Sequence, residues 1–204
     1  MLTPSSFFKT PLQSVPKPVR SFLLRGLIIF LAWKILYLGF LAFPRTLDRP
    51  LTKWVGQHAA WVLNSLYNSN QYSAKDLVAV TNFEGQIQIA PVSRIDKNGK
   101  KLLHIADGCN GLELFVLFIG FILAMPSGIL RKTAYILIGI LIIHVINVLR
   151  CVGLSSTVIH WKESFDFAHH YVFKILVYAT IFILWTRFMK KISIKKEPAN
   201  AISI

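Results

Sequence analysis

The chain has 204 residues, 54% of them apolar, a mean hydropathy of +0.53 and a formal charge of +14. That is too hydrophobic for a soluble domain of this size and places the chain in a membrane. Only 16% of residues are charged, so the basic excess sits in short clusters suited to anionic headgroups and topology control. No basic stretch interleaved with aromatics offers the footprint of a nucleic-acid binder.

Residues 1–20 carry Pro4, Pro11, Pro16 and Pro18 with basic and no acidic residues, which predicts a flexible cytoplasmic tail. The apolar run over 21–43 lacks a small-residue cleavage site, so it reads as a retained anchor with no signal peptide to remove. At about 1.5 Å per residue it can cross a hydrocarbon core of about 30 Å. Arg25 can snorkel to the inner interface, whereas Lys34 near mid-span must face protein, water or a partner charge. Pro44 ends this helix. Over 51–67, Leu51, Trp54, Val55, Ala59, Val62, Leu63 and Leu66 recur at helical spacing opposite Lys53, Gln57 and His58. The pattern predicts an amphipathic helix in the interface with Trp54 and Trp61 as headgroup anchors, or a plain packed helix under the next segment. Residues 72–105 change to alternating runs with a turn at Asn98-Gly99, which predicts a small external β-meander.

A second span over about 111–125 is followed by a tight Pro126-Ser127-Gly128 connection with Arg131 and Lys132, and a third span covers about 134–152. A loop with Lys162, Glu163 and Asp166 leads to a fourth span from near His169 to Trp185, trailed by Arg187, Lys190, Lys191, Lys195 and Lys196. The positive-inside rule puts both tails and the Arg131-Lys132 turn in the cytoplasm, leaving 44–108 and 153–168 outside. The expected fold is an all-α polytopic membrane protein with about four spans, an interfacial helix and a small extracytoplasmic β element. Its parts are a basic tail over 1–20, an integral membrane domain over 21–188 and a second basic tail over 189–204.

On this map the segment Asp107-Gly108-Cys109-Asn110-Gly111 lies at the mouth of the second span. A thiol between two glycines that let backbone approach a ligand is a candidate nucleophile. The competing reading is a small buried residue at a helix start. Arg150 and the pair His169/His170 reach the same outer layer. A neighbouring cation favours thiolate over thiol, and a histidine can take the thiol proton and return it to a leaving amine. Arg150 could also, or instead, stabilise an oxyanion on a peptide carbonyl. Each residue has a plainer reading: a snorkelling arginine, or a polar histidine flank. Glu113, one turn inside Cys109, can pair with Lys34, Arg150 or a histidine, or line a wet cavity. Asn147 shares one side of the third span with His144 and Arg150, and can orient Arg150 or bond a neighbouring helix.

Cys109 and Cys151 have no zinc-module spacing, but a single bridge between them is open. A metal-dependent protease using His169, His170 and a cysteine is the weaker reading for the same reason, and no metal or organic cofactor is expected.

Gly108-Cys109-Asn110-Gly111, Asn147-Val148-Leu149-Arg150 and His169-His170 resemble the exosortase/archaeosortase family of integral-membrane cysteine transpeptidases, over about 100–188. The resemblance implies a bacterial inner-membrane enzyme whose site faces outward. Its substrates would be exported proteins ending in a sorting signal of PEP-CTERM type: a short motif, a transmembrane helix and a basic cluster. Cys109 would be the nucleophile, Arg150 its electrostatic partner and a histidine the acid/base. His170, which leads into the helical run, is the first choice and His169 the competitor. A thioacyl enzyme would pass the cleaved protein to water or to an acceptor such as an amine, lipid or glycan. Two departures stand: the residue after the cysteine is commonly serine in the family and is Asn110 here, and many members have about twice as many spans. The alternative from another class is a non-catalytic membrane assembly subunit with a structural Cys109–Cys151 disulfide.

Overall fold

The computed structural model of the chain describes residues 17–42, 45–83 and 86–194. Helix α1 (Lys17–Leu36) runs into a π-helical turn (Tyr37–Leu41), and α2 (Asp48–Leu66) follows. Three strands come next, β1 (Tyr72–Phe83), β2 (Gln86–Lys97) and β3 (Lys100–Ala106), then a 3-10 turn (Asp107–Cys109) and α3 (Leu112–Ala124). The long α4 (Ile129–His160) is joined by the short turn α5 (Phe165–Phe167) and a second π turn (Ala168–Val172) to α6 (Phe173–Ile194). Most of the expected tails, and Pro44, lie outside the described residues. Where the tails enter them they are helical: α1 begins at Lys17, with Pro18 in its first turn, where a missing N–H costs nothing, and α6 continues to Ile194.

Among the described residues, three helical stretches are long and apolar enough to cross a membrane: Val19–Leu41, Ile129–His160 and Lys162–Lys191. The expected second span is shorter. Gly111 and Pro126 bound α3 to 13 residues, about 20 Å at helical rise against a core of about 30 Å. The third helix departs in the other direction. The expected outer loop over 153–168 is mostly helix, because Ser155 and Thr157 close their hydroxyls onto the carbonyls of Cys151 and Gly153 and the backbone continues unbroken to His160. With 32 residues α4 is about 48 Å long, so its last turns extend past any hydrocarbon layer.

Those last turns form one wall of an outer core. Val148, Val152 and Leu154 of α4 pack with Val55, Ala59, Ala60 and Leu63 of α2 and with Ile95, Leu103 and Ile105 of the sheet. Full burial of such side chains is worth roughly 1.5–3 kcal/mol each. Helix α2 is thus a packed helix with one apolar face turned to the sheet and α4, while Trp54 and Trp61 stand exposed on its other side. A second core joins Phe118 and Ile122 of α3 to Ile143 of α4 and Ile181 and Phe188 of α6. There Tyr135 donates to the Leu184 carbonyl at 2.8 Å, which satisfies its hydroxyl in apolar surroundings.

The meander is antiparallel in the order β1-β2-β3. Asn98 and Gly99 take positive φ (52° and 75°), as a two-residue hairpin between Lys97 and Lys100 demands. On β3, burial and then the nearby charges of Lys101 and Arg94 lower the pKa of His104 from its ordinary value of 6.5. The folded chain therefore holds this imidazole neutral. Its contribution to stability is present above pH 6.5 and is lost as pH falls through the lower folded value. Thermal stability of wild type is expected to fall from pH 7.5 to pH 5.5 more than that of His104→Gln, and equal slopes would refute the assignment.

Candidate active site

Strand β3 delivers the chain to the 3-10 turn, and a set of polar side chains from α2 and the α1–α2 connection fixes that turn. Arg45 Nε donates to Asp107 Oδ2 at 2.6 Å, its terminal nitrogen donates to Oδ1, and Thr52 donates to the same Oδ1 at 2.8 Å. The Asp107 carboxylate raises the pKa of the Arg45 guanidinium above its ordinary value. Asn110 is buried: its Nδ2 donates to Asp48 Oδ1 at 2.9 Å, and its Oδ1 accepts from the Leu112 N–H at 2.8 Å. Tyr37 completes the chain by donating to Asp48 Oδ2 at 2.8 Å. Fully bonded buried polar groups of this kind specify one arrangement. The result is a rigid mount for Cys109, which lies between Asp107 and Asn110.

Gly111 has φ +90°, the left-handed region in which an L side chain is strained. A Cβ there would also sit 3.3 Å from Asn147 Nδ2. That closeness is used: Asn147, wholly buried on α4, donates to the Cys109 carbonyl at 3.0 Å. Asn147 therefore holds the Cys109 backbone, a role different from the orientation of Arg150.

Arg150 stands one turn further along α4, half-buried, about 4.5 Å higher by helical rise. Its neighbour Cys151 is buried in the outer core, and half-buried Cys109 packs against the same cluster. Both are free thiols.

The two histidines lie in the π turn Ala168–Val172. A π turn adds a residue to the helix and redirects the side chains at that point, and such bulges recur at functional sites. His169 is half-buried and stacks on Phe165, with centroids 5.7 Å apart and planes at 8°. His170 is exposed and meets the His169 ring edge-on at 5.0 Å. Phe165 and Phe173, which bracket the turn, pack on the cluster that also receives Cys109. Gly153 makes this docking possible, since a Cβ there would lie 2.4 Å from the Phe173 ring. Thus Cys109, Arg150 and His169 border one outer core. Among the described residues, the hydrogen bonds made by the Cys109 segment run through its backbone and through Asn110, not from its sulfur to Arg150 or a histidine.

Glu113 and Lys34 border a cavity of about 420 Å³ between α1, α3 and α6, without forming an ion pair with each other. Lys34 Nζ lies over the Phe30 ring at 5.7 Å. His144 bonds His58 of α2 at 2.9 Å between ring nitrogens, a pairing the sequence did not announce. Among the described residues, no group of three or more His, Cys, Asp or Glu side chains is arranged to hold a metal ion.

These features define an integral membrane protein, mostly helical, with a small sheet poised over a thiol-bearing turn. The family model described as transmembrane exosortase (Exosortase_EpsH) matches residues 21–186. The chain belongs to that family. No curated protein and no solved structure matches it.

Proposed function

We propose that the chain is a membrane cysteine transpeptidase that cleaves exported proteins near a C-terminal membrane helix. Family membership supports the reaction class. The observation that carries the residue assignment is the mount around Cys109: a buried network on one side and Asn147 bonding its carbonyl on the other. A structural cysteine has no need of such a support, whereas a nucleophile must be held within a fraction of an ångström.

In this reading the Cys109 thiolate attacks a backbone carbonyl, and Arg150 stabilises the thiolate, the oxyanion, or both in turn. The C–N bond breaks, a histidine gives its proton to the departing amine, and a thioester remains on Cys109. An incoming amine, or water, then attacks the thioester and regenerates the thiol. We assign the acid/base role to His169 over His170, because His169 is the half-buried ring, held by its stack on Phe165, and His170 is exposed. The α1/α3/α6 cavity, with Gly26, Gly120 and Trp185 in its wall and Glu113 at its border, offers a lane for the substrate's hydrophobic helix. Glu113 lies in the first turn of α3, four residues after Cys109, so a helix lying there would deliver its preceding segment to the thiol. The site faces the extracytoplasmic side if both termini are cytoplasmic, with α3 crossing as a short fourth span within the domain over 21–188.

Acid quenching during turnover, followed by peptide mapping, tests the reading. A substrate fragment attached to Cys109 through a thioester is expected; continued processing with the adduct on another residue would reject it.

The packing of Cys109 and Cys151 against one cluster favours a second reading, a non-catalytic subunit with a structural bridge. Non-reducing mass mapping separates the two. Free thiols in processing-competent preparations support the enzyme, and a quantitative bridge supports the subunit.

A further inference from the structure

We propose that a basic cleft between the start of α2 and the base of the β1–β2 ribbon binds the phosphate of an anionic phospholipid headgroup. The cleft encloses about 420 Å³ and is lined by Arg45, Arg49, Thr52 and Lys53 on one side and by Asp76 and Val78 on the other. Arg45, Arg49 and Lys53 are spaced by four residues, the Arg49 N–H bonds the Arg45 carbonyl at 3.1 Å, and all three cations line the same cleft. Like charges at that spacing repel. Asp107 neutralises Arg45, but among the described residues neither Arg49 nor Lys53 is in an ion pair. Asp76, also in the cleft, forms no ion pair with them. Arg45 also holds φ 53°, a left-handed conformation that a non-glycine residue keeps only when its surroundings enforce it.

Depth selects the ligand. The first membrane helix and its π turn end at Leu41, four residues before Arg45, and Arg45 and Thr52 bond Asp107, five residues before α3 begins. The cleft thus sits where two apolar helices reach the headgroup layer. Exposed Trp54, next to Lys53, fits the same level. A phosphate there would meet two uncompensated cations and the same arginine and threonine that hold the nucleophile's turn. Lipid binding would then stiffen that turn, since Arg45 and Thr52 touch both. The binding itself is independent of the catalytic reading.

Native mass spectrometry of the full chain in detergent, with equimolar phosphatidylglycerol and phosphatidylcholine, tests the proposal. Wild type is expected to retain phosphatidylglycerol about twenty-five-fold over phosphatidylcholine, about fivefold for each of the two uncompensated cations. Arg49→Gln/Lys53→Gln should lower that preference roughly fivefold for each charge removed, while Lys100→Gln/Lys162→Gln, exposed cations outside the cleft, should change it less than about twofold. Single Lys53→Gln serves if the double variant fails to fold. Equal retention of the two lipids, a preference that survives loss of the cleft cations, or an equal fall in the Lys100/Lys162 control would overturn the proposal. Complete displacement of the lipid by millimolar inorganic phosphate would assign the cleft to a free anion and overturn the lipid assignment.

Discussion

Cys109→Ser is expected to reduce processing of a co-expressed sorting-signal substrate by at least about a thousandfold, the scale on which removal of a covalent nucleophile is felt. Serine keeps the size and the backbone, so the Asn147 bond to the residue 109 carbonyl and the Asn110–Asp48 network are untouched. Only the sulfur's nucleophilicity is lost. The variant should therefore keep the thermal stability of wild type. Immunoblotting for the uncleaved precursor, alongside unfolding in detergent, reads both quantities. Normal processing by a folded Cys109→Ser protein would end the cysteine mechanism. Cys151→Ser provides the contrast: the buried neighbour is a packing residue of the outer core, and its replacement should act mainly on stability.

The second large effect concerns the histidines. His169→Gln is expected to lower the rate of cleavage by about 10²–10⁴, the range for a positioned acid/base, whereas His170→Gln should stay within a few fold of wild type. The difference rests on position: His169 is half-buried against Phe165, and His170 is exposed. A loss confined to turnover, with substrate capture intact by crosslinking, is the signature of proton transfer. The reverse ranking would return the role to His170 and would mean that the π turn presents its outward ring to the thiol.

Much of this architecture is written locally in the chain. The Asn98-Gly99 pair specifies a tight hairpin because both residues tolerate positive φ, and the structure has that hairpin. Long apolar runs announce α1, α4 and α6 for the same local reason. The limits of α4 were not legible, because residues 153–160 are polar enough to resemble a loop when their packing partners are unknown. Val152, Leu154 and Ser155 are buried only because α2 and the sheet stand beside them. The sequence marks α1, α4 and α6 as spans more firmly than the shorter α3, since an apolar run gives a composition and not the depth it crosses. At the site, Cys109, Arg150 and the histidines stood out by residue type at span ends. Arg45, Asp48 and Thr52 did not, because their bonds to Asp107 and Asn110 cross more than fifty residues of chain, and Tyr37 enters only through its bond to Asp48. One signal was available: the chain has nine acidic residues in all, and carboxylates so scarce in an apolar protein are expected to have partners. The family membership extends to residues 21–186, which takes in these supports as well as the motifs.

The unbroken α4 has a mechanical consequence. Asn147, Arg150 and the outer-core residues up to Thr157 ride on one rod, which the Tyr67–His160 contact at 3.1 Å ties to α2 at its far end. When a thicker or thinner bilayer makes that rod lean, the sheet, the thiol's bracket and the arginine lean with it as one piece. Reactivity at the sulfur should then be indifferent to acyl-chain length, and the adjustment should fall on α1, which packs along α3 and joins the thiol's mount through Tyr37 of its π turn.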